Sequence, residues 1–135
     1  MRNSPHTRES NLQRSATRLA SVGHAWRGLG VLLAEPNARI HLGAACAVLL
    51  LGLALQVTPQ QWALLALSCA LVLSAEALNT ALEHVVDIAS PEWSEGARRA
   101  KDVAAAGVLI ASIGAVVVGL IVFGPRLWCL AMTCR

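Results

Sequence analysis

Long stretches of this sequence carry no formal charge. Asp, Glu, Lys and Arg are absent between Arg39 and Glu76 and again from Val103 to Phe123, and both gaps match or exceed the roughly 20 residues needed to cross hydrocarbon. With 56% hydrophobic and 14% charged residues and a mean hydropathy of +0.57, the 135-residue chain falls outside the ordinary soluble class and reads as one membrane domain. A compact apolar core is missing from the N-terminal region, which Arg2, Arg8, Glu9, Arg14, Arg18 and Arg27 interrupt; this excludes a cleaved signal peptide and predicts that the segment is retained. GxxxxGK[ST] and GxGxxG are both absent, so neither a P-loop nor a protein-kinase apparatus is present. Cysteine is sparse. Cys46 and Cys69 lie in apolar runs and are expected as small buried hydrophobes, while Cys129 and Cys134 form no CxxC pair and have no neighbouring His. A disulfide between the last two stays open if that end faces an oxidising compartment. A net charge of +3 and a pI near 9.0 would suit a nucleic-acid binder, but the basic residues cluster beside the apolar segments. A membrane surface accounts for them, and no nucleic-acid partner is expected.

What is present, in chain order, predicts an all-α membrane protein with an N-terminal amphipathic surface helix and three transmembrane helices. Residues 1–11 are polar and expected to be disordered. Over 12–34, Leu12, Ala16, Leu19, Gly23, Trp26 and Leu33 share one helical face with Arg14 and Arg18 opposite, the pattern of an interfacial helix. Glu35-Pro36-Asn37 breaks it, with Asn37 expected to cap a first span over Ala38–Val57. Thr58–Gln61 forms the turn, and a second span runs from Trp62 to Asp87. Ser90–Gly96 is a loop before the third span, the membrane domain covers 35–123, and 124–135 is a tail. Arg and Lys lie before the first span and between the second and third, with none in the Thr58–Gln61 turn, which places the N-terminus and the Ser90 loop in the cytoplasm. Gly107, Ala111, Ala115 and Gly119 recur at intervals of four in the third span, a small-residue ridge suited to close helix packing and a homo-oligomer.

The candidate site is the stretch from Ser74 to Asp87. At about 100° per residue, Glu76, Asn79, Thr80, Glu83 and Asp87 form one polar stripe, with Glu76, Glu83 and Asp87 nearly in line. An acid at membrane depth is a functional candidate by default. Glu76 and Glu83 lie seven residues apart, about 10 Å along the axis, too far to share one metal within the helix. The deeper Glu76 suits a general base; Glu83 and Asp87, nearer water, suit coordination of a hard cation. Glu35 at the rim adds a second candidate metal-binding carboxylate, and Lys101 with Asp102 adds a phosphate-sized positive charge and an acceptor. This composition and spacing leave three classes open. They are phosphoryl transfer from a magnesium nucleotide to a membrane alcohol, a small proton-coupled transporter with Glu76 as its proton site, and a structural membrane subunit.

Glu76-Ala-Leu-Asn-Thr-Ala-Leu-Glu83-His-Val-Val-Asp87, followed by Ala100-Lys-Asp-Val-Ala-Ala-Ala106, resembles the signature of the bacterial diacylglycerol kinase and undecaprenol kinase family. The resemblance extends over 20–123, including Trp26-Arg27-Gly28-Leu29 and Glu35-Pro-Asn-Ala-Arg-Ile-His41. It implies a three-span kinase of the bacterial inner membrane, a homotrimer with composite sites between subunits, phosphorylating a membrane lipid alcohol with MgATP. By position, Glu76 resembles the family's catalytic base and Glu35 and Glu83 its Mg²⁺-binding glutamates. Asn79, Asp87, Lys101 and Asp102 resemble its ATP-side polar residues, with Arg39 and His41 on the substrate side. His41 replaces an acid found in some diacylglycerol kinases; Arg39-Ile-His41 and Val86-Asp-Ile-Ala-Ser-Pro91 look more like the undecaprenol-using branch.

Overall fold

In the computed structural model, which describes the backbone of residues 5–133 and the side chains of 20–132, every regular element is an α-helix: α1 (Pro5–Ala34), α2 (Pro36–Ala54), α3 (Pro59–Ala89) and α4 (Glu95–Thr133). The chain forms two compact units, one ending at Ala34 and one starting at Glu35. α1 makes up the first. Of the expected amphipathic pattern, the side chains of Leu12, Ala16, Leu19, Arg14 and Arg18 lie outside the described ones, as do residues 1–4 of the stretch expected to be disordered.

The second unit holds the three spans. α2, α3 and α4 are each long and apolar enough to cross a membrane, making this a multi-pass membrane protein. The start of α2 corrects the expectation for Asn37. A residue before proline is pushed into extended backbone, and Glu35 has φ −72° and ψ 132°. Glu35 is therefore the N-cap, Pro36 opens the helix, and Asn37 sits in its first turn with its side chain free of capping duty. At the other end, Val57 N–H donates to Gly52 O (3.2 Å) and Gln56 N–H to Leu53 O (3.3 Å), a Schellman closure with Gln56 at φ 50° where glycine is usual. α3 opens one turn earlier than expected. Thr58 Oγ1 accepts from Gln61 N–H (3.4 Å) and Gln61 Oε1 accepts from Thr58 N–H (3.0 Å), a capping box that draws Pro59–Gln61 into the helix. Ser94 Oγ accepts from Ala97 N–H at 3.1 Å, which starts α4 at Glu95 inside the expected loop. α4 also continues through Pro125 to Thr133, beyond the expected boundary at 123; Arg126 donates to Val122 O at 3.2 Å beside the proline.

α4 packs along α3, and α2 joins α3 over a shorter stretch. Val57, Leu65, Val122 and Phe123 are buried together near the α2–α3 turn, with Leu51, Trp62 and Val118 against them. Gly52 makes this corner possible, since a Cβ there would lie 2.5 Å from the tip of the Trp62 indole. Gly52→Ala is expected to lower stability by about 1–3 kcal/mol through overpacking. Gly43→Ala, whose Cβ meets nothing within 4 Å, should instead gain up to about 1 kcal/mol in helix propensity. Thermal unfolding of both variants in one detergent checks this; equal shifts would contradict it.

Apolar side chains such as Leu50, Leu67, Ile110 and Leu120 are exposed on the outside of this unit, as a lipid-facing or subunit-facing surface requires. Cys46 shares that exposure and Cys69 is half-buried, which corrects the expectation of two buried thiols. In a unit of three helices an apolar run faces lipid as readily as protein. Cys129 is exposed, and Cys134 lies outside the described residues. Of the small-residue ridge, Ala111 is buried within the protomer, Ala115 and Gly119 are half-buried, and Gly107 is exposed.

Candidate active site

α3 buries Glu76, Asn79 and Thr80, which are 2%, 5% and 7% exposed, leaves Glu83 half-buried and exposes Asp87. The stripe thus runs from buried to exposed along one helix. Glu76, Asn79 and Glu83 line a cavity of about 390 Å³ together with Asn37 and His41 of α2 and Ser112 of α4. Thr80 shares the stripe but not the cavity, and its carbonyl lies 2.8 Å from His84 Nδ1. Asn79 Nδ2 donates to Glu83 Oε1 at 2.9 Å. This fixes one carboxylate oxygen of Glu83 and, among the described residues, leaves the other available. The remaining polar atom of the amide, Asn79 Oδ1, is buried without a hydrogen-bond partner among the described residues, and so is Ser112 Oγ.

A second cavity of about 290 Å³ lies beyond the end of α3, lined by Asp87, Ser90, Trp93, Arg98 and Lys101. Lys101, the only lysine of the chain, pairs with Asp87 across 14 residues and ties the start of α4 to the end of α3. Arg98 pairs with Asp102 at 2.7 Å and with Glu95 at 2.8 Å, and Arg99 reaches Glu95 at 3.0 Å. These are exposed pairs, each worth about 0–1 kcal/mol in stability.

The sequence-predicted residues therefore divide. Glu76, Asn79, Glu83 and His41 come together in the first cavity, Asp87 and Lys101 in the second, and Glu35, Arg39 and Asp102 line neither. Glu35 is nevertheless at the cavity's end of α2, two residues before Asn37. Among the described residues no three His, Cys, Asp or Glu side chains converge as a ready-made metal cage. Magnesium does not demand one, because it is commonly held by one or two carboxylates plus substrate phosphates and water. The free oxygen of Glu83 fits such a role.

Asn37, Ser112 and Arg98 were not among the predicted site residues. For Ser112 a signal existed: it follows Lys101 by 11 residues, close to three full turns, so both lie on one face of α4. Asn37 was assigned to capping, and only the proline geometry frees it.

The sequence pattern of prokaryotic diacylglycerol kinases matches residues 23–123. The chain belongs to that family. It is similar to the undecaprenol kinase of Bacillus subtilis (strain 168), 36% identical over 108 residues covering 79% of this chain and 88% of the relative. The diacylglycerol kinase of Synechocystis sp. is 43% identical over 103 residues, 75% of this chain and 59% of the relative. That of Escherichia coli (strain K12) is 36% identical over 100 residues, 73% and 82% of the two chains. As a member of the prokaryotic diacylglycerol kinase family the protein is a lipid kinase, an enzyme using ATP and a lipid substrate. Of the three classes left open by composition and spacing, family membership selects phosphoryl transfer over the transporter and the structural subunit.

Proposed function

We propose that this lipid kinase transfers the γ-phosphate of ATP directly to the hydroxyl of undecaprenol or diacylglycerol, giving undecaprenyl phosphate or phosphatidic acid, with Glu76 as general base. The observation that carries the reading is the gradient of burial along α3: Glu76 is 2% exposed, Glu83 is half-buried and Asp87 is exposed. A lipid hydroxyl arriving from the bilayer meets Glu76 first, and a nucleotide arriving from water meets Asp87 and Lys101 first. Glu76 accepts the hydroxyl proton as the lipid oxygen bonds to the γ-phosphorus; the bond to the β–γ bridging oxygen breaks and ADP leaves with that electron pair. Asn79 orients Glu83 through the 2.9 Å hydrogen bond. Lys101, with Asp87 partly offsetting its charge, faces the phosphates, and Asp102 steadies Arg98 beside them. Glu83 and Glu35 are the residues that would hold Mg²⁺; the ion would supply charge neutralisation on the transferring phosphate.

In this reading the protein works as a homotrimer in the bacterial inner membrane, with its N-terminus and the 90–94 loop cytoplasmic. A neighbouring subunit would complete a site that one protomer leaves divided between two cavities. Purified protein in mixed micelles with labelled ATP tests the reaction. Labelled lipid should appear; ATP-independent, substrate-dependent proton flux in liposomes without labelled lipid would reverse the assignment.

His41 lines the cavity beside Glu76, and with Arg39 it inclines the lipid choice toward undecaprenol. Both alcohols are expected to react, because a chain that stays in the bilayer adds little discrimination at the headgroup. A modest preference in kcat/KM for undecaprenol at matched surface concentration is the expected result. A clear preference for diacylglycerol, unchanged when His41 is altered, would overturn it.

A further inference from the structure

Serines inside apolar helices usually bond back to the carbonyl one turn earlier. Ser68 does so, its Oγ donating to Leu64 O at 2.9 Å. Ser112 does not. Its Oγ is buried and has no partner among the described residues, a costly state for a hydroxyl at membrane depth. Ser112 also lines two cavities at once. One is the polar cavity of Glu76; the other is an apolar groove of about 390 Å³ between the three spans, walled by Ala45, Val48, Leu51, Val72, Ala115 and Phe123. Among the described residues only Ser112 and His41 belong to both, so they stand where groove and polar cavity meet. Asn79 Oδ1, on a residue 5% exposed, is a second unpartnered polar atom of the same polar cavity. Two buried polar atoms without partners at the head of an apolar groove suit a ligand with one polar end and one long hydrocarbon chain.

We infer that Ser112 contacts the lipid substrate, its Oγ–H donating a hydrogen bond to the lipid hydroxyl oxygen while the chain lies in the groove and Glu76 accepts the hydroxyl proton. The inference rests on the assignment of Glu76 as base. The donor holds the attacking oxygen in line with the γ-phosphorus while its other lone pair remains free to attack, so its contribution is to positioning. The groove's small lining residues, Ala45 and Ala115 among them, leave room for a chain of either lipid.

The test uses the full-length protein in mixed micelles, varying lipid mole fraction and ATP independently for Ser112→Ala and Ser112→Thr. Ser112→Ala is expected to lower kcat/KM for the lipid about tenfold, the effect of one lost hydrogen bond, with KM for ATP unchanged. Ser112→Thr, which keeps the hydroxyl, should recover most of the loss. Since the hydroxyl has no partner among the described residues, its removal should leave the Tm unchanged or raise it. An unchanged lipid kcat/KM in Ser112→Ala overturns the proposal, and so does a lowered Tm with losses shared equally by lipid and ATP. Glu76→Gln measured alongside keeps the two ideas separate: full turnover in that variant refutes the base assignment, whereas loss of turnover there with no effect at Ser112 refutes only this contact.

Discussion

Glu76→Gln is expected to reduce lipid phosphorylation by about 10²–10⁴-fold while MgATP binding persists, because the substitution removes the proton acceptor and little else. Gln matches Glu in shape, and Glu76 makes none of the ion pairs of the protomer, which all lie among Asp87, Glu95, Arg98, Arg99, Lys101 and Asp102 in the described residues. Its 2% exposure excludes bulk water as a substitute base. The signature of a lost base is a fall in kcat and in kcat/KM together, with nucleotide affinity held. Nucleotide binding measured by fluorescence titration, beside turnover with labelled ATP, distinguishes this from a binding defect. Loss of nucleotide affinity equal to that of a Glu83 variant would refute the division of roles along α3.

Glu83→Gln should produce the complementary failure: Mg²⁺-dependent nucleotide affinity lowered by about 10–100-fold or more, the range seen even when groups supporting a metal ligand are changed. Glu83 is half-buried at the outer part of the stripe, one carboxylate oxygen held by Asn79 at 2.9 Å. In the variant, the amide presents a neutral oxygen to the cation and its N–H₂ opposes the Asn79 amide. Raising Mg²⁺ should recover part of the binding, which it should not do for turnover in Glu76→Gln. If sites are shared between subunits, mixing inactive Glu76→Gln and Glu83→Gln chains before assembly should restore part of the activity, because some interfaces would bring both intact carboxylates together. A fully active monomer would exclude shared sites.

Much of the architecture was legible without coordinates. The first charge-free gap, with Pro36 and Pro59, marks α2 and α3 to within a turn, because hydrocarbon admits helical backbone almost exclusively and proline is favoured in a helix's first turn. The Glu76–Glu83–Asp87 stripe was legible because residues seven and eleven apart return to one face of any straight helix. Graded depth followed from where the apolar run stops. The family signature rests on these same positions together with Lys101 and Asp102.

Other features depended on which helix lies against which. Periodicity assigns faces within a helix and says nothing about the neighbour, so the arrival of Asn37 and Ser112 beside Glu76, and the division of Asp87 and Lys101 from it, required three helices packed together. Cys46 and the ridge from Gly107 to Gly119 were ambiguous for a related reason: lipid tails and protein interiors are equally apolar, so hydropathy does not separate an outward face from a buried one. By itself, then, the sequence determined the helices, their order, the acidic stripe and the family. Tertiary structure alone decided that a hydroxyl from α4, without a partner among the described residues, shares a cavity with the stripe at the head of an apolar groove, because bringing residues 36 positions apart to one cavity is a property of packing and not of any local pattern.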